Sequence, residues 1–184
     1  MFLWQEKMNS EEMISLIIEA LKNVNSLRFF RTERGYQGRF ACALYKILDG
    51  KRIFPDDAII EEEYQKNYTS HGTRQRPDLI IHVPFEAGRS GTRSENNFVV
   101  FAFKKDANEK KAKDDFEKLD ALFDKLKYPL GIFINVSERQ GIFLDKYTGT
   151  NKNRIHEFCV KLVDDKVNIL HAYFEKDQII NENL

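Results

Sequence analysis

The chain has 184 residues, with 29 basic and 29 acidic side chains, a formal net charge of zero and 42% hydrophobic residues, which is one domain's worth of chain and enough to bury a core. A mean hydropathy of −0.53 and no apolar run near the ~18 residues that a bilayer crossing needs exclude a membrane span; the opening MFLWQEKMNSEEM, acidic early, does not read as a secretory signal and points to the cytoplasm. Two distant cysteines, Cys42 and Cys159, exclude a disulfide framework or a CxxC metal clip and read as small buried apolar residues.

Ile14, Ile17, Ile18, Leu21 and Val24 follow Ser10 at helical spacing, so the pattern predicts a first helix capped by Ser10, with Glu11 and Glu12 at its positive end. A second is predicted over 32–48, burying Tyr36, Phe40, Leu44 and Ile47 before an Asp49-Gly50 stop. This region is basic: from Lys22 to Arg52 there are eight basic residues against two acids, which suits either a polyanion or a solvated helix surface. Extended segments follow at 58–64, 78–83 and 98–103, the last two dense in β-branched and aromatic residues and separated by the polar loop PFEAGRSGTRSENN. An amphipathic helix over 108–127 carries Phe116, Leu119, Phe123 and Leu126 on one stripe. LGIFINV at 130–136 reads as a strand buried on both faces, and 156–174 as a hairpin turning at Asp164-Asp165. The order α-α-β-β-β-α-β-β-β describes an α/β mixed sheet flanked by helices in one domain over 1–184, with 137–184 as a C-terminal hairpin extension.

The chemistry concentrates on two strands. Arg76-Pro77-Asp78 opens one, and Phe101-Ala102-Phe103-Lys104-Lys105 closes the next. Side chains alternate along a strand, so Val100, Ala102 and Lys104 share one face and Phe101, Phe103 and Lys105 the other. An acid at the head of one strand can then approach a lysine on its neighbour, a grouping that phosphodiester hydrolysis uses: carboxylates for a divalent cation, and a cation for water or transition-state charge. On the residues alone, Asp78 also fits a plain strand start and Lys104 the first solvated residue beyond a buried strand. Glu33 fits a first-turn helix acid, and Arg31, Arg34 and Arg39 fit surface charge as well as phosphate contacts. His71, His82, His156 and His171 lack metal-site or triad spacing, with His82 the one that shares the strand face of Asp78.

RPDLIIHV followed by VVFAFKKDA resembles the PD-(D/E)xK, or restriction-endonuclease-like, nuclease superfamily, whose two strands read Pro-Asp and then acid-x-Lys. The helix with DDFEKLDALF and the strand LGIFINV match that superfamily's continuation, and ERGYQGRF is similar to its helical Glu motif. The resemblance is strongest over 31–136. It implies that Asp78 is the metal-binding acid, Lys104 the catalytic lysine, Glu33 the helical acid and the Phe103 carbonyl a further ligand of Mg²⁺ or Mn²⁺. Gln37 would fix the site or the substrate, and Arg31, Arg34, Arg39 and Arg76 would meet nucleic acid, with DNA favoured over RNA. It further implies a homodimer or a subunit of a larger complex, and a place in bacterial DNA processing or antiviral defence.

Position 102 departs from the pattern, with Ala where the superfamily has Glu or Asp. Losing that carboxylate weakens or abolishes the hold on the metal. Because Asp78, Lys104 and the flanking strand are intact, the expectation is a deliberately inactivated endonuclease. A natural inactive module that binds nucleic acid or a protein partner is the alternative, as is an acid migrated to another position, for which Glu86 and Glu95 are the candidates.

Overall fold

The computed structural model describes residues 9–53, 58–62, 76–84, 96–139 and 141–184. Asn9, rather than Ser10, caps the first helix, its Oδ1 accepting the N–H of Glu12 at 2.8 Å, and α1 runs over Ser10–Lys22. After a short 3₁₀ turn, Leu27–Arg31, Thr32 caps α2 (Glu33–Gly50) by accepting the N–H of Gly35. The long amphipathic helix α3 (Glu109–Leu126) starts at an Asn108 cap, Oδ1 to the N–H of Lys111, and stops where Lys127 takes the left-handed conformation. All three helices fall where the apolar periodicity places them.

Among the described residues seven strands form one sheet in chain order: β1 (Ile59–Glu62), β2 (Leu79–His82), β3 (Asn97–Lys105), β4 (Leu130–Val136), β5 (Ile155–Val163), β6 (Lys166–Glu175) and β7 (Gln178–Asn183). The β3–β4 and β4–β5 pairs are parallel and the other four antiparallel, which makes the expected mixed sheet. Asp164 and Asp165 both have positive φ, the geometry that a tight β5–β6 turn requires. One feature differs from the sequence reading: β7 is an additional edge strand. The parallel β4–β5 crossover over 137–154 carries two short 3₁₀ turns. Of the predicted strand at 58–64, residues 63 and 64 lie outside the described residues, as do Glu86, Arg89, Arg93, Glu95 and His71.

Alternation decides which layer each strand residue joins. Leu79, Ile81, Phe101 and Phe103 pack with α1 and α2, where Phe40 meets Phe101 and Phe103 edge-on at 5.6 Å between centroids. Ile80, Val100, Ala102 and Phe133 pack with α3 through Ala112, Phe116, Leu119 and Phe123. Gly131 lets α3 approach the sheet closely, since a Cβ there would overlap the Phe123 ring. Cys159 is buried as expected, but Cys42 is exposed on the outer side of α2. Among the described residues no helix is long and apolar enough to cross a membrane.

Candidate functional site

β2 begins opposite Phe101 while β3 runs on to Lys105, and the site is built on that offset. Asp78 immediately precedes β2; its N–H donates to the Phe101 carbonyl, and its Oδ2 accepts the N–H of Phe103 at 2.7 Å. The carboxylate thus takes a β3 donor that no β2 residue reaches. Asp78 is two residues before Ile80 and so shares that residue's face, the α3 face, with Ala102 and Lys104. N–H and C=O of one strand residue point to the same side of the strand, so the Phe103 carbonyl faces the same pocket. Lys104 Nζ donates to it at 2.8 Å.

Acid and lysine therefore hydrogen-bond the same residue's backbone. Burial raises the Asp78 pKa above its ordinary value; the Phe103 N–H and the Lys104 charge oppose this in part, while Asp115 and Glu33 add to it. Burial pushes Lys104 down, but Asp115 first, then Asp78 and Glu33, more than reverse it, so the ammonium lies above its usual range. Lys104 is a fixed positive charge near neutral pH and no base.

Glu33, the first residue of α2, reaches the end of β3. Its Oε2 accepts the N–H of Lys105 at 3.0 Å and its Oε1 lies 3.9 Å from Lys104 Nζ. One turn on, Gln37 is buried and its Nε2 donates to the Asp78 carbonyl at 2.7 Å. That bond fixes the backbone of Asp78 from a buried position, so Gln37 bears on the site through Asp78 rather than from the surface. Arg31 and Arg34 are exposed within two residues of Glu33, and Arg76 is exposed two residues before Asp78. Arg39 lies further along α2, its guanidinium 5.6 Å from the centroid of the Phe29 ring, which Arg28 also covers at 4.6 Å. His82 sits at the opposite end of β2, 3.0 Å from Glu61, and takes no part.

One site residue escapes the sequence reading. Asp115 of α3 is 2% exposed, with Oδ2 2.9 Å from Lys104 Nζ and Oδ1 accepting from Lys118 at 2.7 Å. Its signal is its position: it follows Ala112 by three residues and precedes Leu119 by four, inside the buried stripe of the helix.

Among the described residues no group of three or more His, Cys, Asp or Glu side chains could hold a metal ion. The carboxylates of Asp78 and Glu33, on the N–H groups of Phe103 and Lys105, and the Phe103 carbonyl border the same stretch of β3. Mg²⁺ is commonly held by one or two carboxylates with water completing the shell, so this donor set has suitable chemistry.

No protein-family model matches the chain, and no curated protein matches its sequence. Solved structures do match. NucC of P. aeruginosa ATCC27853 in its cAAA-bound form aligns with a TM-score of 0.51 at 15% identity, over 96% of this chain and 84% of that chain. NucC of E. coli MS115-1, also in its cAAA-bound form, aligns with a TM-score of 0.54 at 13% identity, again over 96% and 84%. At these identities the likeness is one of fold: the mixed sheet flanked by helices is a NucC-like fold.

Proposed function

We propose that this chain is a metal-dependent nuclease of the PD-(D/E)xK type that hydrolyses phosphodiester bonds, with DNA as its substrate. The observation that carries the reading is the shared Phe103 anchor, with Asp78 on its N–H and Lys104 on its carbonyl. Asp78, the Phe103 carbonyl and Glu33 would hold Mg²⁺ or Mn²⁺, which when bound polarises the phosphoryl oxygen and acidifies water. Lys104 orients the attacking water and offsets charge on the phosphoryl oxygens as they become more negative. The water oxygen bonds to phosphorus, its proton passes to solvent, the bond to the leaving sugar oxygen breaks, and that oxygen takes up a proton. Gln37 and the Phe103 N–H hold Asp78 in place throughout. Arg31, Arg34 and Arg76, exposed around the pocket mouth, track phosphates, and Arg39 extends the same basic surface.

The likeness to NucC supports the fold that the reading needs; a role in antiviral defence, a place in the cytoplasm and a homodimer whose two sites cut two strands are what the superfamily resemblance adds. Ala102 removes the usual second acid, so a site with no substitute carboxylate on that face is the silenced form of the enzyme. The competing reading is a catalytically inactive module that binds nucleic acid or a protein partner, and the lost acid is its support.

Cleavage assays on the native chain and on Ala102→Glu, with Mg²⁺ or Mn²⁺ and with and without cAAA, separate the two. Metal-dependent cutting that Lys104→Ala abolishes supports the nuclease. Salt-sensitive DNA binding, with no cutting by either chain, supports the inactive module.

A further inference from the structure

The face that Ala102 leaves bare is served from the helix packed on it. Ala112, Asp115, Phe116 and Leu119 lie on one buried stripe of α3, and Ala112 and Phe116 share an apolar cluster with Ala102. Asp115 thus projects its carboxylate toward the strand face that holds Asp78, Ala102 and Lys104. A carboxylate on an apolar stripe is expensive to desolvate. A merely structural ion pair needs no such position, as the exposed Lys113–Glu109 pair on the same helix shows.

The oxygens meet around one point. Lys104 Nζ is 2.8 Å from the Phe103 carbonyl oxygen, 2.9 Å from Asp115 Oδ2 and 3.9 Å from Glu33 Oε1. Three elements, β3, α3 and α2, therefore surround a single positive charge with hard oxygen donors, the ligand type that Mg²⁺ and Mn²⁺ take. Asp115 Oδ2 is buried 2.9 Å from the Lys104 ammonium, whereas Oδ1 is held by Lys118. One oxygen is anchored by Lys118, and the other faces the same ammonium that the Phe103 carbonyl and Glu33 face.

We infer that Asp115 supplies the carboxylate that position 102 lacks and is a metal ligand together with Asp78 and the Phe103 carbonyl. Lys118 orients it, and the small side chain of Ala102 leaves the space that it reaches across. The inference rests on the nuclease reading and changes its consequence: the native chain carries a complete acid set and is a working enzyme.

Mn²⁺ titration followed by electron paramagnetic resonance tests this without reference to activity. The native chain binds Mn²⁺; Asp115→Asn and Asp78→Asn each weaken binding at least about tenfold, since even loss of an indirect support costs a metal site that much. Ala102→Glu added to Asp115→Asn restores binding by returning the carboxylate to the same face. Native-strength binding by Asp115→Asn, alongside weak binding by Asp78→Asn, overturns the role of Asp115 and leaves the nuclease reading standing. So does a native chain that ignores Mn²⁺ while Ala102→Glu binds it. If Ala102→Glu binds none either, the nuclease reading itself falls. Should Asp115→Asn fail to fold, the carboxyl carbon resonances of the native protein decide: Mn²⁺ broadens Asp115 together with Asp78, and broadening of Asp78 alone overturns the inference.

Discussion

The Asp78 carboxylate accepts the backbone N–H of Phe103 at 2.7 Å, so the acid is tied to the very strand that carries the lysine. The tie is reinforced from behind by Gln37, whose amide holds the Asp78 carbonyl at 2.7 Å. A carboxylate held by fixed donors keeps its position when charge changes nearby, which is what a metal-binding acid needs.

Replacing Gln37 by leucine tests that support. The change keeps an apolar volume in a buried position but leaves the Asp78 carbonyl without its donor, at a cost of about 1–3 kcal/mol. Urea denaturation should show the midpoint falling with an unchanged slope, and nuclease activity should fall through a looser Asp78.

Lys104→Met removes the ammonium around which Asp115, Glu33 and the Phe103 carbonyl gather. Loss of one charge-stabilising donor lowers kcat by about 10²–10³. Because the surrounding acids hold the Lys104 pKa above its usual range, the native-to-variant rate ratio should stay constant from pH 7 to about 9. A ratio that collapses within that window would mean that Lys104 works as a base.

Arg31→Glu and Arg34→Glu address the basic surface beside Glu33. If each arginine meets a phosphate, each change weakens DNA binding and reduces the slope of log affinity against log salt by about one. Fluorescence anisotropy with an Asp78→Asn chain measures this without cleavage. Reversal of a charge on the far end of the sheet, Lys166→Glu, should leave the slope as it is.

Glu157 gives a pH signature independent of the site. It is fully buried on β5, both oxygens facing the N–H of Phe143 at 3.0 and 2.9 Å, and burial raises its pKa from 4.5 to about 8 despite those donors. Between these values the folded chain holds a proton that the unfolded chain has released. Its contribution to stability is therefore complete below pH 4.5, declines as pH rises and is spent above about 8. Thermal melts should show the native chain losing stability relative to Glu157→Gln across that range, and parallel curves would contradict it.

How far the sequence reads into structure differs between elements for physical reasons. The stripe Phe116, Leu119, Phe123 and Leu126 and the apolar runs of β2, β3 and β4 announce themselves because burial on one or both faces forces their composition. β7, QIINEN, pairs only at the sheet edge with two half-buried isoleucines, and its polar composition resembles that of a loop. The approach of Asp78 to Lys104 follows from strand alternation, while their roles rest on the superfamily resemblance. Asp115 was not legible, because eight lysines and seven acids crowd 104–127 and its neighbour Asp114 is exposed; only its place between Ala112 and Leu119 sets it apart. Gln37 lies one turn after Glu33 on α2, but whether its amide meets substrate or backbone depends on where β2 begins, which no local pattern encodes.

Supercoiled plasmid incubated with the native chain and Mn²⁺, with and without cAAA, tests the central claim most directly. The account predicts nicked and linear DNA that disappears with EDTA and with Asp78→Asn. Plasmid left intact by the native chain and by Ala102→Glu, in every one of these conditions, would contradict it.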